Sequence, residues 1–146
     1  MNFLPNSLIN NSKLKKLNLS HNRDDTAVGW QAFLAVFQSP NSALEKFSLC
    51  GISIDDISIN YLSNPLANNN KLKELNLSCN LDVSATGWQT FSAVLWNPNS
   101  ALEKLCLRGN SINDRTITTL ANSLANNSKL KELLMSYLIR NITADG

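Results

Sequence analysis

Leu72-Lys73-Glu74-Leu75-Asn76-Leu77-Ser78-Cys79-Asn80 decides the fold. Leucine holds the first, fourth and sixth places of this stretch and asparagine the ninth. The alternation of Leu75 and Leu77 has the period of two expected of a strand with one buried face. The same spacing recurs at Leu14, Leu17 and Leu19; at Leu44, Phe47 and Leu49; at Leu102, Leu105 and Leu107; and at Leu130, Leu133 and Met135. The five segments follow one another in steps of 30, 28, 30 and 28 residues. Asn22, Asn80 and Asn110 share the ninth place, whereas Ile52 and Leu138 break that row.

A longer repeat contains the short one. Residues 12–69 align without a gap on residues 70–127, with 35 of 58 pairs identical. This is a tandem duplication. Between the strand segments the apolar period becomes helical. Trp30, Phe33, Val36 and Phe37 match Trp88, Phe91, Val94 and Leu95 and form one apolar stripe. The alternate helix carries Ile59, Leu62 and Leu66, matched by Ile117, Leu120 and Leu124. Strand followed by helix, repeated, implies a parallel sheet with helices on one side. Strands stack about 4.8 Å apart and helices about 10 Å apart, so the stack must curve with its strands on the concave side. The expected fold is therefore α/β, a curved solenoid of about five repeats of alternating 28 and 30 residues. Residues 1–146 read as a single domain that begins and ends inside a repeat, as a fragment of a longer solenoid would.

The pattern Leu-x-x-Leu-x-Leu-x-x-Asn resembles that of leucine-rich repeats. Its 28/30 alternation is similar to the ribonuclease-inhibitor-like class, which also forms the sensor end of NOD-like receptors. The resemblance implies a protein-interaction module without enzymatic activity, binding through its concave strand face. The residues it brings forward there are Lys16, Asn18, Lys46, Glu74, Asn76, Lys104, Arg108 and Glu132. It also raises a GTPase activator as a remote alternative, because the Ran GTPase-activating protein has similar repeats; no catalytic arginine motif supports it, and Arg108 stands alone.

The 146 residues carry a formal net charge of +2, with 43% apolar and 16% charged side chains. Chains that stay disordered are more charged and less apolar. No run of about 18 apolar residues suits a membrane span. Residues 1–6 lack the basic flank and apolar stretch of a secretion signal. Three cysteines, an odd number, do not make a disulfide framework, so a reducing, cytoplasmic setting is expected.

Little in the chain points to chemistry. The sole histidine, His21, reads as an exposed turn residue. It occupies the same place as Cys79 two repeats on, about 10 Å away, too far for one shared metal ion. Cys50 and Cys79 stand at adjoining places of neighbouring repeats. With Cys106 they read as small packing residues. No cofactor, metal, nucleic acid or membrane is therefore expected as a partner.

The outward strand positions carry charges in two rows. Lys15, Glu45, Lys73, Glu103 and Lys131 alternate in sign, a ladder that fixes register and cancels its own long-range field. Lys16, Lys46, Glu74, Lys104 and Glu132 run beside it. Asn22, Asn80 and Asn110 suit buried amides that satisfy turn backbone. Asn68-Asn69 and Asn126-Asn127 suit left-handed positions after helices. Pro65, late in a helix, is expected to distort the last turn. Finally, the closing strand is the most apolar. As an alternative to the partner-binding module, the chain reads as a self-assembling structural protein that stacks end to end through uncapped solenoid ends, with Leu134, Tyr137, Leu138 and Ile139 as the association end.

Overall fold

The computed structural model describes residues 11–22 and 36–136. Eight elements lie within them. In chain order they are β1 (Lys16–Asn18), β2 (Lys46–Ser48), α1 (Asp56–Ala67), β3 (Glu74–Asn76), α2 (Ala85–Trp96), β4 (Lys104–Cys106), α3 (Asp114–Leu124) and β5 (Glu132–Leu134). Residues 36–38 are also helical. The strands form one five-stranded parallel sheet in sequence order. Its register is the one the leucine spacing requires, with Leu17 beside Phe47, Phe47 beside Leu75, Leu75 beside Leu105 and Leu105 beside Leu133. The helices pack in a row on one side of it, α1 against α2 and α2 against α3. No described helix is long and apolar enough to cross a membrane.

One apolar core runs between the two layers. Phe47, Leu75 and Leu105 enter it from the strands, and Ile59, Leu62, Trp88, Phe91 and Leu120 from the helices. Trp88 and Phe91 meet edge to face at 5.9 Å, and Phe37 and Phe47 do the same at 5.1 Å. Trp96 lies at the end of α2 and is 66% exposed. The Trp88 indole N–H is buried, with no hydrogen-bond partner among the described residues. Trp30 and Phe33 lie outside the described residues.

Each helix opens on a polar cap, as its sequence suggests. The Asp55, Ser84 and Asn113 side chains accept from the backbone N–H groups of Ser58, Thr86 and Thr116. Neighbouring helix starts are tied together. The Asp56 carboxylate accepts from Ser84 N–H at 2.7 Å and from its hydroxyl at 2.5 Å. Gly87 makes that approach feasible. A methyl group there would meet Asp56 Oδ1 and would lie 2.8 Å from the Val83 side chain.

The asparagines divide into two devices. Asn80 is fully buried; its Nδ2 donates to the Leu49, Leu77 and Ser78 carbonyls, and its Oδ1 accepts from Ile52 and Ile54 N–H. It thereby serves the repeat in which Ile52 has replaced asparagine. Asn110 donates to the Leu77 and Leu107 carbonyls and accepts from Asn80 N–H. Asn22 bonds the Leu19 and Ser20 carbonyls but is exposed.

The asparagine pairs after the helices correct the expectation of a left-handed turn. Asn68 has φ −92°, and none of Asn68, Asn69, Asn126 and Asn127 has positive φ. Asn69 instead brackets the chain. Its Oδ1 accepts from Lys71 and Leu72 N–H while its Nδ2 donates to the Phe37 carbonyl. Asn127 repeats this with Lys129, Leu130 and the Leu95 carbonyl, so a side chain replaces the cap that a left-handed residue would supply.

Pro65 leaves the last turn of its helix intact. α1 runs through it to Ala67 and closes with Asn69 N–H on the Leu66 carbonyl, as Asn127 closes on Leu124 in α3.

Left-handed backbone occurs at another place. The eighth position of the repeat holds His21 (φ 64°), Gly51 (φ 63°), Cys79 (φ 59°) and Gly109 (φ 69°). Residues with a side chain alternate with glycine for a packing reason. His21 Nδ1 lies 2.9 Å from where a Gly51 Cβ would stand, and Cys79 Sγ lies 3.1 Å from the same point at Gly109. Each side chain occupies the space its neighbour's missing Cβ leaves open.

Candidate functional site

The open face of the sheet forms a trough of about 360 Å³ across all five strands. Its walls are outward strand positions, held at fixed spacing because adjacent backbones are bonded. Examples are Lys46 N–H to the Lys15 carbonyl at 2.9 Å and Leu107 N–H to the Leu134 carbonyl at 2.7 Å. Lys16, Asn18, Lys46, Glu74, Asn76 and Lys104 all line it. Arg108 and Glu132 do not line it; both are exposed beside it.

The charges pair along the stack. Glu45 accepts from Lys15 and Lys73, both at 3.3 Å, and Glu103 accepts from Lys131 at 2.9 Å. In the second row Lys46 pairs with Glu74, and Lys104 with Glu132 at 2.7 Å. The Lys73 ammonium beside Glu45, helped by Lys15, holds that carboxyl below the usual range, and Lys131 does the same for Glu103. The Glu132 carboxylate pushes the Lys104 ammonium up. All these groups are open to solvent, so the pairs contribute register more than stability.

The middle of the trough is small and uncharged. Ser20 and Ser48 hydroxyls share a bond of 2.8 Å, and the Ser78 hydroxyl bonds Asn76 Oδ1 at 2.6 Å and lies 3.0 Å from Cys106 Sγ. Ser48, Cys106 and Leu134 belong to the trough although sequence reasoning did not select them for it. The signal was available, since all three occupy the fifth place of their repeats beside Asn18 and Asn76. Leu134, expected at an association end, is half-buried and lines the concave trough. Tyr137, Leu138 and Ile139 lie outside the described residues.

Burial, then the neighbouring Cys79 thiol, raises the Cys50 thiol above its ordinary value. All three cysteines are free. Among the described residues, no three His, Cys, Asp or Glu side chains gather as a metal would require.

Five strands in leucine register, asparagines bonded from repeat to repeat and a helix after each of β2, β3 and β4 form a repeat solenoid. Solved structures share that architecture. The leiomodin-1 actin-binding site 2 domain superposes with a TM-score of 0.80 over 93% of this chain and 79% of its own, at 18% identity. The Caenorhabditis elegans tropomodulin C-terminal domain does so with a TM-score of 0.71 over 92% and 83%, at 16% identity. Sequence relatives agree. The mouse NACHT, LRR and PYD domains-containing protein 5 is 33% identical over 142 residues, which is 95% of this chain and 12% of that protein. The chain is a leucine-rich-repeat protein. Mouse NACHT, LRR and PYD domains-containing protein 4E is 31% identical over 88% of this leucine-rich-repeat chain and 13% of its own length. The chain thus spans about one eighth of these curated relatives. No protein-family model matches it.

Proposed function

We propose that this leucine-rich-repeat chain is a protein-binding module whose contact surface is the concave strand face. The observation that carries the reading is the continuous trough across all five strands, bounded by ordered charge rows and floored by Asn18, Ser48, Asn76, Cys106 and Leu134. A rigid ladder holds the contact residues at fixed spacing, which lowers the ordering cost of binding. The contact set is Lys16, Asn18, Lys46, Glu74, Asn76, Lys104, Arg108 and Glu132, with Ser48, Cys106 and Leu134 beneath a bound segment.

The test is selection from a displayed peptide library on the immobilised chain. The enriched peptides are then measured against two variants. Ser48→Arg with Asn76→Arg fills the trough, and Thr119→Arg with Trp96→Ala alters the helix layer. Peptides that lose binding only to the trough variant support the reading. Peptides that lose binding only to the helix-layer variant overturn it.

A further inference from the structure

The pairing of charges on the concave face is incomplete in one direction. All four strand glutamates, Glu45, Glu74, Glu103 and Glu132, are held in ion pairs. Two cations are not. Lys16 lies in register beside Lys46, a like charge whose own partner is Glu74. Arg108 is the one charge at the seventh place of the repeat, where Ser20, Cys50, Ser78 and Ser136 stand in the other units. Both are exposed, and among the described residues neither pairs with a carboxylate. Among the described residues, the unsatisfied charge of the face is therefore positive only.

Position adds a second constraint. Arg108 is three strands from Lys16 and four residues further along the strand direction. At about 4.8 Å per strand and about 3.3 Å per residue the two lie roughly 20 Å apart on a diagonal. About six residues of extended chain cover that distance. The floor between them offers Ser48, Asn76 and Cys106, with no bulky side chain to block a backbone.

We infer that the concave face takes an extended acidic peptide segment, with one carboxylate on Lys16 and a second on Arg108. The proposal rests on the concave-face reading above and names the partner's chemistry. Phosphate is the other common anion, but a nucleic-acid groove needs a run of cations with aromatic stacking platforms. Here Lys46 and Lys104 are already paired, and the outward strand positions hold no aromatic residue.

Fluorescence anisotropy of a labelled ten-residue glutamate peptide tests this, with a ten-residue lysine peptide and a ten-nucleotide oligouridylate beside it. The glutamate peptide is expected to bind best and to weaken as salt rises. Lys16→Glu and Arg108→Glu are each expected to weaken it at least several-fold. Arg115→Glu, on α3, is expected to leave it unchanged. Glu132→Gln, which releases Lys104, is expected to tighten it, a gain that no misfolded variant produces. Equal or tighter binding of the lysine peptide or the oligouridylate overturns the proposal, as does indifference to Lys16→Glu and Arg108→Glu. No binding of the glutamate peptide also overturns it. Library peptides that still depend on the trough would in that case leave the concave-face reading standing without its acidic partner.

Discussion

Two ladders run across the same five strands, and they do different work. The asparagine ladder lies buried behind the turn, where Asn80 alone accepts from two N–H groups and donates to three carbonyls. The charge ladder lies at the surface, where Glu45 touches two lysines and is partly exposed. The charge ladder repeats in every unit and the asparagine row in three of the five, and both link neighbouring repeats. Only the first is surrounded by groups that have no water to turn to. The difference shows that regularity in sequence does not measure contribution to stability; burial decides it.

The sharpest way to break that comparison is Asn80→Ala. It strands the Leu49 carbonyl and the Ile52 and Ile54 amides, while the Leu77 carbonyl keeps its bond from Asn110, and should cost about 3–5 kcal/mol in denaturant unfolding. Asn22→Ala, at the exposed end of the same row, should cost under about 1 kcal/mol. Equal losses at the two sites would show that burial is not what separates them.

Gly87→Ala comes next. The new methyl would press on Asp56, Val83 and Ile59 where α1 and α2 start, so a loss of about 1–3 kcal/mol is expected. An unchanged melting temperature would show that the two helix starts can part freely.

The left-handed eighth place supplies a smaller, signed effect. Gly109→Ala should destabilise by about 1–2 kcal/mol, since a Cβ is unfavourable at φ 69° and crowds Cys79 Sγ. Cys79→Gly removes the same strain and should be neutral or stabilising by up to about 1 kcal/mol. Calorimetry should show a loss for Gly109→Ala and none for Cys79→Gly; equal losses would tie the alternation to something other than strain.

The charge ladder should yield the smallest effect, visible mainly as a pH dependence. Glu45, Glu103 and the helix cap Asp55 titrate below their ordinary values in the folded chain. Their contribution is complete above the unfolded-state values. It fades as pH falls from there through the folded values, because the unfolded chain takes up protons first. Stability should be flat near neutrality and decline only in acid. Glu45→Gln with Glu103→Gln should flatten part of the acid decline while barely moving the neutral midpoint. A large loss at neutral pH would promote the charge ladder to the rank of the buried one.

Much of this architecture was legible in the chain. The leucine places of Leu72, Leu75 and Leu77 and their four echoes predicted strand register residue by residue, because a period-two pattern with one buried face admits only one pairing. Trp88, Phe91, Val94 and Leu95 predicted which face of α2 is buried, since helical period leaves one stripe to hide. The concave set was legible as a row, though its membership was not. Arg108 and Glu132 sit beside the trough rather than in it, while Leu134 and Cys106 line it, because strand period gives a side and not a depth.

What the chain could not disclose depended on neighbours far away in sequence. Asn69 reads locally as a tolerant turn residue, yet its role is set by the Phe37 carbonyl, 32 positions earlier. The eighth place looked like a casual mixture of His21, Gly51, Cys79 and Gly109. Its logic appears only when each side chain is seen resting in the gap of the next repeat's glycine. Lys16 and Arg108 looked like two charges among many until pairing consumed every strand glutamate. Periodicity is a local property, so the sequence determined the repeat, its register and its buried stripe. Which polar group meets which is a property of stacked neighbours, and the tertiary structure alone decided it.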